Sequence, residues 1–554
     1  MQVLHLKIPI FRYCACRKKA VILQPNLNIN NKFIKLMKKF FLFAALGLTM
    51  MAQAAELDYY KTLVDEQADA SKGQTQLYSL EYAADGSLYL QSSYQTATNE
   101  ETGMVFEGNT YQGGTAAKWA DLKISNYRNS FLAKLDAEGN LLWAKADTTG
   151  DYDLSNTAIA VTNDGGVIYA DKFRGRRGTY MSFFNVYDKD GQLVASNNMS
   201  FTNYDSIKVD GKMVKRKDAF SWKGAAQDAE GYVYIVGLQG DTLLPTWNDS
   251  IAPRKAWDTK GNLSANCNTV ILKYQPQYNQ TQDLDFVGAA TTNDLALVYD
   301  YPLGVHYADG ALYVAGTYKD AEGSGLYVAK YSTALEREWI KFHPVAASLQ
   351  FQQTKFADGK IFVCGGLGKN GQIKVGDKVV VASTTANNSG FVYVLDEQTG
   401  EALDAAVHVP EANPLNITVA AFPTKDGFVA YNHETLNGIQ VALNYDKELN
   451  LVSTDTIGKG GGSSTVSVVG RNEDGTKTAV GIRARSNAPY NLLNEEPMQF
   501  TTTNWYSVLA VLNTEGQTQA VENINDDTQK AVKFIKNGQL LIRYNGKTYN
   551  VLGL

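Results

Sequence analysis

Short runs of apolar, β-prone residues alternate with turn residues along most of the chain. Between Leu303 and His343, two such runs flank the pair Asp309-Gly310, and after a loop the runs Leu326–Tyr331 and Glu338–Lys341 form a second pair. An Asp-Gly pair between β-prone runs is typical of a two-residue type I′ hairpin turn, which needs φ > 0 at both positions. This stretch therefore predicts two consecutive β-hairpins.

The first of these hairpins recurs along the chain with the same turn chemistry. Each copy places Asp-Gly or Glu-Gly between two β-prone runs, so each predicts a turn of the same type. The seven copies are Tyr78–Tyr94 around Asp85-Gly86, Ala158–Ala170 around Asp164-Gly165, Ala225–Gly237 around Glu230-Gly231, Val305–Tyr318 around Asp309-Gly310, Phe351–Gly365 around Asp358-Gly359, Thr418–Tyr431 around Asp426-Gly427, and Val466–Ile482 around Asp474-Gly475.

An apolar run that opens a second hairpin follows each copy after a loop of variable length. These runs are Phe131–Asp136, Phe183–Asp188, Val270–Tyr274, Leu326–Tyr331, Phe391–Asp396, Val441–Asp446 and Val508–Asn513. Seven first hairpins and seven second hairpins make seven units of four strands.

Repetition of a four-stranded antiparallel unit predicts a β-propeller, in which neighbouring blades cover both faces of each blade. Near-continuous apolar runs such as Leu312–Ala315 and Ile361–Cys364 fit strands that are buried on both faces. A pair of β-sandwiches is the alternative architecture. We therefore predict an all-β fold, a seven-bladed β-propeller of four-stranded antiparallel blades over residues 55–521, followed by a small C-terminal β element.

The last strand of a unit often carries an aromatic residue two positions before a lysine, as in Leu142–Lys145 and Glu338–Lys341. Asp58–Lys61, near the N-terminus of the propeller region, repeats this pattern. A strand there would complete the seventh blade and close the ring. Thr518–Val521 competes for the same place, and the sequence leaves both possibilities open.

These repeats resemble those of a bacterial β-propeller family. Its motif is Asp-Gly, then Tyr-Val-x-Gly, then Phe-x-Ala-Lys-hydrophobic-Asp, then Gly-x-x-x-Trp-x-Lys, and Leu303–Lys341 and Asn129–Lys145 match it best. The resemblance covers roughly residues 57–521. It implies an extracellular protein and indicates a fold more than a function.

The N-terminal segment has the organisation of a secretory signal peptide. A basic start at Met37 is followed by the apolar run Phe40–Met51 and then by small residues, so we expect residues 37–54 to be removed by cleavage after Ala54. The apolar run is shorter than the roughly 20 residues that a membrane-spanning helix needs, and we expect no transmembrane helix after cleavage. We interpret residues 1–36 as a leader from a mis-assigned translation start.

The C-terminal segment, residues 522–554, begins with a polar linker and then places Asn537-Gly538 and Asn545-Gly546 between β-prone runs. Two Asn-Gly turns predict a small three-stranded element. The segment resembles the C-terminal sorting tails of proteins exported by type IX secretion. This resemblance implies that the tail engages the secretion machinery and that the protein is secreted or held at the outer-membrane surface of a Gram-negative bacterium. A mere additional hairpin is the alternative.

The net charge of -5 conceals an acidic propeller region. Residues 1–54 hold nine basic and no acidic residues, so the remainder has 43 basic against 57 acidic residues and a charge of -14. An acidic domain argues against nucleic-acid binding, which depends on neutralising phosphates. The remainder keeps two cysteines, Cys267 and Cys364, in different repeats, and we expect them to be separate buried thiols; a disulfide between them is the alternative.

The catalytic signatures in the sequence are weak. His306, His343 and His408 lie in or beside strand-like runs without the spacing of a metal pair, and we interpret His306 as part of the packing near the Asp309-Gly310 turn. A Gly-x-Ser-x-Gly nucleophile motif is missing from the sequence. We therefore predict no catalytic residue, no metal site and no cofactor.

Binding residues are expected on one face of the propeller. The turns inside the hairpins lie on the short-turn face, whereas the loops between hairpins and between blades lie on the opposite, long-loop face. Binding residues concentrate on such loops, and arginines and aromatic residues are the types that anchor interfaces. The candidate binding residues are Arg174, Arg176, Arg177, Trp247, Tyr318, His433, Arg483 and Arg485.

These patterns favour a secreted or cell-surface propeller that binds an extracellular protein or glycan through its long-loop face, without catalysis. One alternative is a polysaccharide hydrolase or lyase with its site in the central funnel of the ring. Another is a structural component of a surface layer.

Overall fold

The computed structural model describes residues 56–65, 74–95, 103–112, 129–147, 151–152, 158–174, 180–201, 206–209, 212–215, 220–240, 243–245, 249–252, 254, 267–278, 283–345, 349–385, 388–409, 416–434, 438–461, 464–485, 489–493, 495, 497–498, 505–514, 532–536, 539–544 and 547–550. The predicted leader and signal peptide lie outside these residues.

Seven four-stranded antiparallel sheets, the blades, account for most of the described residues. Blade 1 contains β2 (Gln74–Tyr82), β3 (Leu88–Gln95), β6 (Asn129–Leu135) and β7 (Leu141–Asp147). Blade 2 contains β9 (Ala158–Val161), β10 (Val167–Arg174), β11 (Tyr180–Tyr187) and β12 (Leu193–Phe201). Blade 3 contains β15 (Phe220–Gln227), β16 (Val233–Gln239), β18 (Asn268–Tyr278) and β19 (Leu284–Thr291).

The remaining blades follow the same plan. Blade 4 contains β20 (Tyr299–Ala308), β21 (Ala311–Lys319), β22 (Ser324–Ser332) and β23 (Arg337–Pro344). Blade 5 contains β24 (Leu349–Ala357), β25 (Lys360–Gly368), β28 (Asn388–Asp396) and β29 (Ala402–His408). Blade 6 contains β30 (Asn416–Thr424), β31 (Gly427–Glu434), β32 (Ile439–Asp446) and β33 (Leu451–Lys459). Blade 7 contains β34 (Thr465–Arg471), β35 (Lys477–Arg485), β37 (Trp505–Asn513) and β1 (Glu56–Asp65).

The blades form a closed ring. The first strands of successive blades contact one another around the centre, from β2 through β9, β15, β20, β24 and β30 to β34, and β34 contacts β2 again. The fold is a seven-bladed β-propeller. The prediction of fold class is confirmed, and every predicted hairpin run falls on the expected strand.

Each junction between neighbouring blades has its own hydrophobic cluster. Between blades 3 and 4, for example, Tyr234 and Val236 pack with Leu312 and Val314, all fully buried. Equivalent clusters of buried side chains join the other six pairs of blades. Because every blade is covered on both sides, its central strands are apolar on both faces, which explains the near-continuous apolar runs of the sequence.

The N-terminal strand closes the ring. β1 pairs in antiparallel register with β37, with Tyr60 opposite Ala510 and Leu63 opposite Ser507. The Leu63 side chain is fully buried in the cluster between blades 7 and 1. Of the two candidates that the sequence left open, the segment around Asp58–Lys61 therefore takes the place of the fourth strand, while Thr518–Val521 lies outside the described residues.

The repeated aromatic residue of the fourth strand packs on a glycine of the next blade. Trp339 lies over Gly400, where an added Cβ would come within 2.5 Å of the indole ring. Trp143 and Tyr59 lie over Gly191 and Gly139 in the same way. All three glycines have positive φ, between 69° and 85°, so they meet the turn geometry and leave room for a ring. The Tyr59 contact shows that β1 is a true fourth strand.

The lysine of the Phe-x-Ala-Lys motif also forms contacts between neighbouring blades. Lys134 Nζ lies 4.9 Å from the ring centroid of Tyr89 and donates hydrogen bonds to carbonyls of the neighbouring blade at Gly165 and Lys189. Tyr89 itself donates to the Gly165 carbonyl at 2.6 Å. The motif residues therefore join blades to one another, which gives them a structural role.

The predicted type I′ turn occurs at Asp309-Gly310 and Asp358-Gly359, where both residues have positive φ. The prediction is wrong for other hairpins. In the hairpin around Asp85-Gly86, only the glycine has positive φ, and Ala83 N–H donates to the Ser87 carbonyl across a longer loop. This is the three-residue hairpin with glycine in the left-handed region, which uses the same Asp-Gly pair.

Further short strands lie in the loops, and four of them pair with the end of a blade strand. They are β4 (Gly103–Phe106), β5 (Asn109–Gln112), β8 (Asp151–Tyr152), β13 (Ser206–Val209), β14 (Lys212–Lys215), β17 (Leu243–Leu244), β26 (Gln372–Val375), β27 (Lys378–Val381) and β36 (Asn491–Leu492). The predicted C-terminal element is a three-stranded antiparallel sheet of β38 (Val532–Lys536), β39 (Gln539–Tyr544) and β40 (Lys547–Asn550). Within the described ranges, no helix has the length and apolar character needed to cross a membrane.

Both propeller cysteines are buried free thiols, as predicted. Cys364 lies in β25 among apolar side chains of blades 5 and 6. Burial raises the pKa of its thiol well above the usual range, so it stays protonated at neutral pH and is chemically inert.

Candidate functional site

Several predicted binding residues lie where the structure does not describe their side chains. Arg174 is the last residue of β10, and its backbone pairs with Tyr180 and Asp151. Arg176, Arg177 and Trp247 lie outside the described residues. Their role on the long-loop face stays a prediction.

Two other predicted residues belong to strands instead of loops. Tyr318 lies in β21 opposite Gly325, is 4% exposed, and packs edge-to-face on Phe342 with 4.7 Å between ring centroids. His433 lies in β31, opposite Ile417 and Gln440. Both strands run further than the sequence indicated, because the two hairpins of each blade stay paired up to the long-loop end.

His433 is 5% exposed, and its Nδ1 has no hydrogen-bond partner among the described residues. Burial lowers the pKa of its imidazole to about 4. A neutral, enclosed ring cannot contact a partner at the surface, so this residue acts in packing.

Arg483 and Arg485 come together with Trp505 at the long-loop end of blade 7. The guanidinium carbons lie 4.4 Å and 5.6 Å from the indole centroid, because adjacent strands place all three side chains on one side of the sheet. Arg483 also donates a 2.7 Å hydrogen bond to Gln74 of blade 1. Arg485 is exposed. Both arginines were predicted from the sequence, whereas Trp505, which precedes the predicted run Val508–Asn513, was not.

The ring encloses a central cavity of about 630 Å³. The first strands of blades 1 to 5 line it, together with Ser467 of blade 7. Its wall combines aromatic rings, amides, hydroxyls and a few charged groups. The volume lies within the range of small-molecule sites, which is about 300–1,000 Å³.

Side chains of β24 cross the cavity beside blade 6. Gln353 accepts a 3.0 Å hydrogen bond from the backbone N–H of Val469 in blade 7. Lys355 Nζ lies 3.6 Å from a carboxylate oxygen of Glu81 in blade 1. These contacts connect blade 5 to blades 7 and 1 and fill the part of the centre next to blade 6.

His306 lies on the wall of this cavity and is held from two sides. Its Nδ1 lies 2.6 Å from Oε1 of Glu397, a residue of blade 5 whose side chain is 4% exposed. The ring stacks on Phe356 with 5.3 Å between centroids. The packing role predicted for His306 is therefore confirmed in part, but its imidazole is 41% exposed and also faces the cavity.

His343 and His408, in the last strands of blades 4 and 5, have structural roles. His343 Nε2 lies 2.8 Å from the Gly400 carbonyl, and burial lowers the pKa of both His343 and His408. In the described part of the chain, no three His, Cys, Asp or Glu side chains come together in a way that could hold a metal ion.

Comparison with family models and with curated proteins gave no match. Comparison with solved structures found propellers of low sequence identity. The β-propeller domain of the Trilobed protease from Pyrococcus furiosus, described as having an open velcro topology, is 9% identical with a TM-score of 0.39, and the match covers 78% of this chain and 97% of that one. The Dos1 propeller is 12% identical with a TM-score of 0.37, covering 82% and 96%. A europium-containing methanol dehydrogenase is 11% identical with a TM-score of 0.35, covering 81% and 93%.

Proposed function

We propose that this protein is an exported binding module that attaches to an extracellular protein or glycan through the long-loop face of its propeller. The observation that carries the proposal is the group of Arg483, Arg485 and Trp505 at the long-loop end of blade 7. A planar guanidinium binds carboxylate or sulfate groups in bidentate fashion, and an indole offers a flat apolar surface beside it. Acidic glycans and acidic protein loops carry both features.

Arg485 is the member of this group that can reach a partner. Arg483 is engaged with Gln74 across the junction of blades 7 and 1, whereas Arg485 is exposed and its guanidinium lies over the Trp505 ring. Trp505 supports both guanidinium groups from one side, which restricts their rotamers and lowers the entropic cost of binding.

The location of the protein is part of the proposal. The predicted signal peptide at residues 37–54 supports export, and the three-stranded C-terminal sheet is the element that a sorting tail would present to secretion machinery. We propose that the tail directs the chain outside the cell or to the outer-membrane surface, where the long-loop face meets its partner.

A single charge removal tests the binding face. In Arg485→Ala, binding to an array of acidic and neutral glycans and to intact cells should weaken about tenfold, because one charge-assisted contact is lost. The matched control is Lys447→Ala, which removes one positive charge from the short-turn face, where Lys447 is exposed. Equal binding by the parent and the folded Arg485→Ala protein, or an equal loss in both variants, would contradict the proposal.

A further inference from the structure

We propose that the central cavity is a second binding site, separate from the long-loop face, and that it takes an uncharged, hydroxyl-rich ligand of the sugar class anchored by His306. The argument rests on three properties of the cavity: the fixed orientation of His306, the balance of charge on the wall, and the chemistry of the remaining lining.

The orientation of His306 is set by its partners. The carboxylate of Glu397 can only accept hydrogen bonds, so the Nδ1 atom 2.6 Å away carries the proton and donates it. In the neutral imidazole, Nε2 is then an acceptor. No described residue provides a donor to Nε2, although the ring is held rigidly by Phe356 and Glu397. A fixed acceptor on a cavity wall is complementary to a ligand hydroxyl.

The charge balance favours a neutral ligand. Glu81 on the wall is paired with Lys355, and the Glu397 carboxylate is buried behind the His306 ring and does not line the cavity. Lys223 contributes one further ammonium group to the lining. An anionic ligand would therefore meet no cluster of cations, and a strongly cationic one would meet no unpaired carboxylate among the described groups of the wall.

The rest of the lining suits a sugar. Amide side chains and hydroxyls provide both donors and acceptors, and aromatic rings provide flat faces for the C–H surface of a pyranose ring. The lining residues of these types include Gln76, Ser79, Tyr78, Tyr307, Gln352 and Phe356. A site of this size and composition has the few polar groups on an aromatic wall that small-molecule sites show.

Histidine NMR tests the proposal directly, because the chain from residue 55 onward contains only four histidines, His306, His343, His408 and His433. Protein labelled at histidine Cε1 is titrated at pH 8 with cellobiose, lactose and chitobiose, and with glucuronate as an anionic probe. The signal that is absent in His306→Gln identifies His306. We expect the neutral disaccharides to shift this signal and to leave the other three in place.

Calorimetry with the same disaccharides provides the second measurement. His306→Gln should weaken binding about five- to tenfold, as expected for one lost hydrogen bond in an enclosed site. His343→Gln is the matched control, since His343 lies on the last strand of blade 4 outside the cavity lining, and it should bind like the parent. The proposal is overturned if no disaccharide shifts the His306 signal, if all four signals shift together, or if only glucuronate binds.

Discussion

At the scale of single residues, the repeated motif explains how the blades are joined. The aromatic residue of the last strand and the glycine of the next blade form one contact, as in Trp339 and Gly400. The motif lysine and tyrosine form another, as in Lys134 and Tyr89. These residues recur where they join neighbouring blades, so the residues that determine binding have to be sought where the repeats differ.

Two glycines with the same backbone conformation test the aromatic contact. Gly400 has φ +69° with the Trp339 ring within 2.5 Å of an added Cβ, and Gly359 has φ +66° with nothing within 4 Å. Gly359→Ala should cost about 1 kcal/mol from backbone strain alone. Gly400→Ala should cost about 2 kcal/mol more, because the methyl group displaces the indole.

The midpoint of urea unfolding measures this difference. Gly359→Ala is the control for backbone strain, and the extra loss in Gly400→Ala reports the aromatic junction. Equal midpoints for the two variants would show that the Trp339 ring does not constrain this position.

The buried His433 predicts acid sensitivity. Its pKa is about 4 in the folded protein, against about 6.5 in the unfolded chain. Because the folded-state pKa is depressed, the stabilisation is fully present above pH 6.5 and is lost as the pH falls from 6.5 to 4. The contribution of this residue to the unfolding free energy should therefore fall by about 2 kcal/mol as the pH is lowered from 7 to 4.5.

A variant without the titrating group isolates this effect. His433→Gln should lose about 2 kcal/mol less than the parent between pH 7 and pH 4.5, measured by urea unfolding at each pH. Carboxylates and the other histidines contribute equally to both proteins. A parent and a variant with the same pH dependence would contradict the assignment of His433 as a buried neutral group.

At the scale of elements, hairpins could be predicted from sequence and strand ends could not. Alternating apolar runs and Asp-Gly turns locate the hairpins because both signals are local. The ends of β21 and β31 depend on pairing with the second hairpin of the blade, so Tyr318 and His433 looked like loop residues although they are paired and buried. Turn type likewise depended on the register of the flanking strands.

The candidate sites could likewise be predicted from the sequence only in part. Arg483 and Arg485 were recognisable as basic residues near a loop, but their contact with Trp505 joins strands that are separated by a long insertion. The role of His306 depends on Glu397, which lies 91 residues further along the chain. A contact between residues this far apart leaves no local trace in the sequence, so a cavity residue of this kind is recognised only in the folded ring.

At the scale of the whole molecule, closure of the ring supports both proposed sites. β1 completes blade 7 beside β37 and packs Leu63 into the cluster between blades 7 and 1, so it strengthens the junction of these two blades. Arg483, which supports Trp505 and bonds to Gln74, spans the same junction. The N-terminal strand therefore supports the junction of blades 7 and 1, which Arg483 also spans.

Disulfide formation across β1 and β37 tests this closure most directly. Tyr60 lies opposite Ala510, and directly opposed residues have Cβ atoms about 4.5–5.5 Å apart, close enough to be bridged with a small adjustment. We expect Tyr60→Cys/Ala510→Cys to cross-link under mild oxidation, as measured by the mass of the linked peptides. Tyr60→Cys/Leu512→Cys, shifted by two residues, should stay reduced. Two reduced cysteines in the folded Tyr60→Cys/Ala510→Cys protein would contradict closure of the propeller by its N-terminal strand.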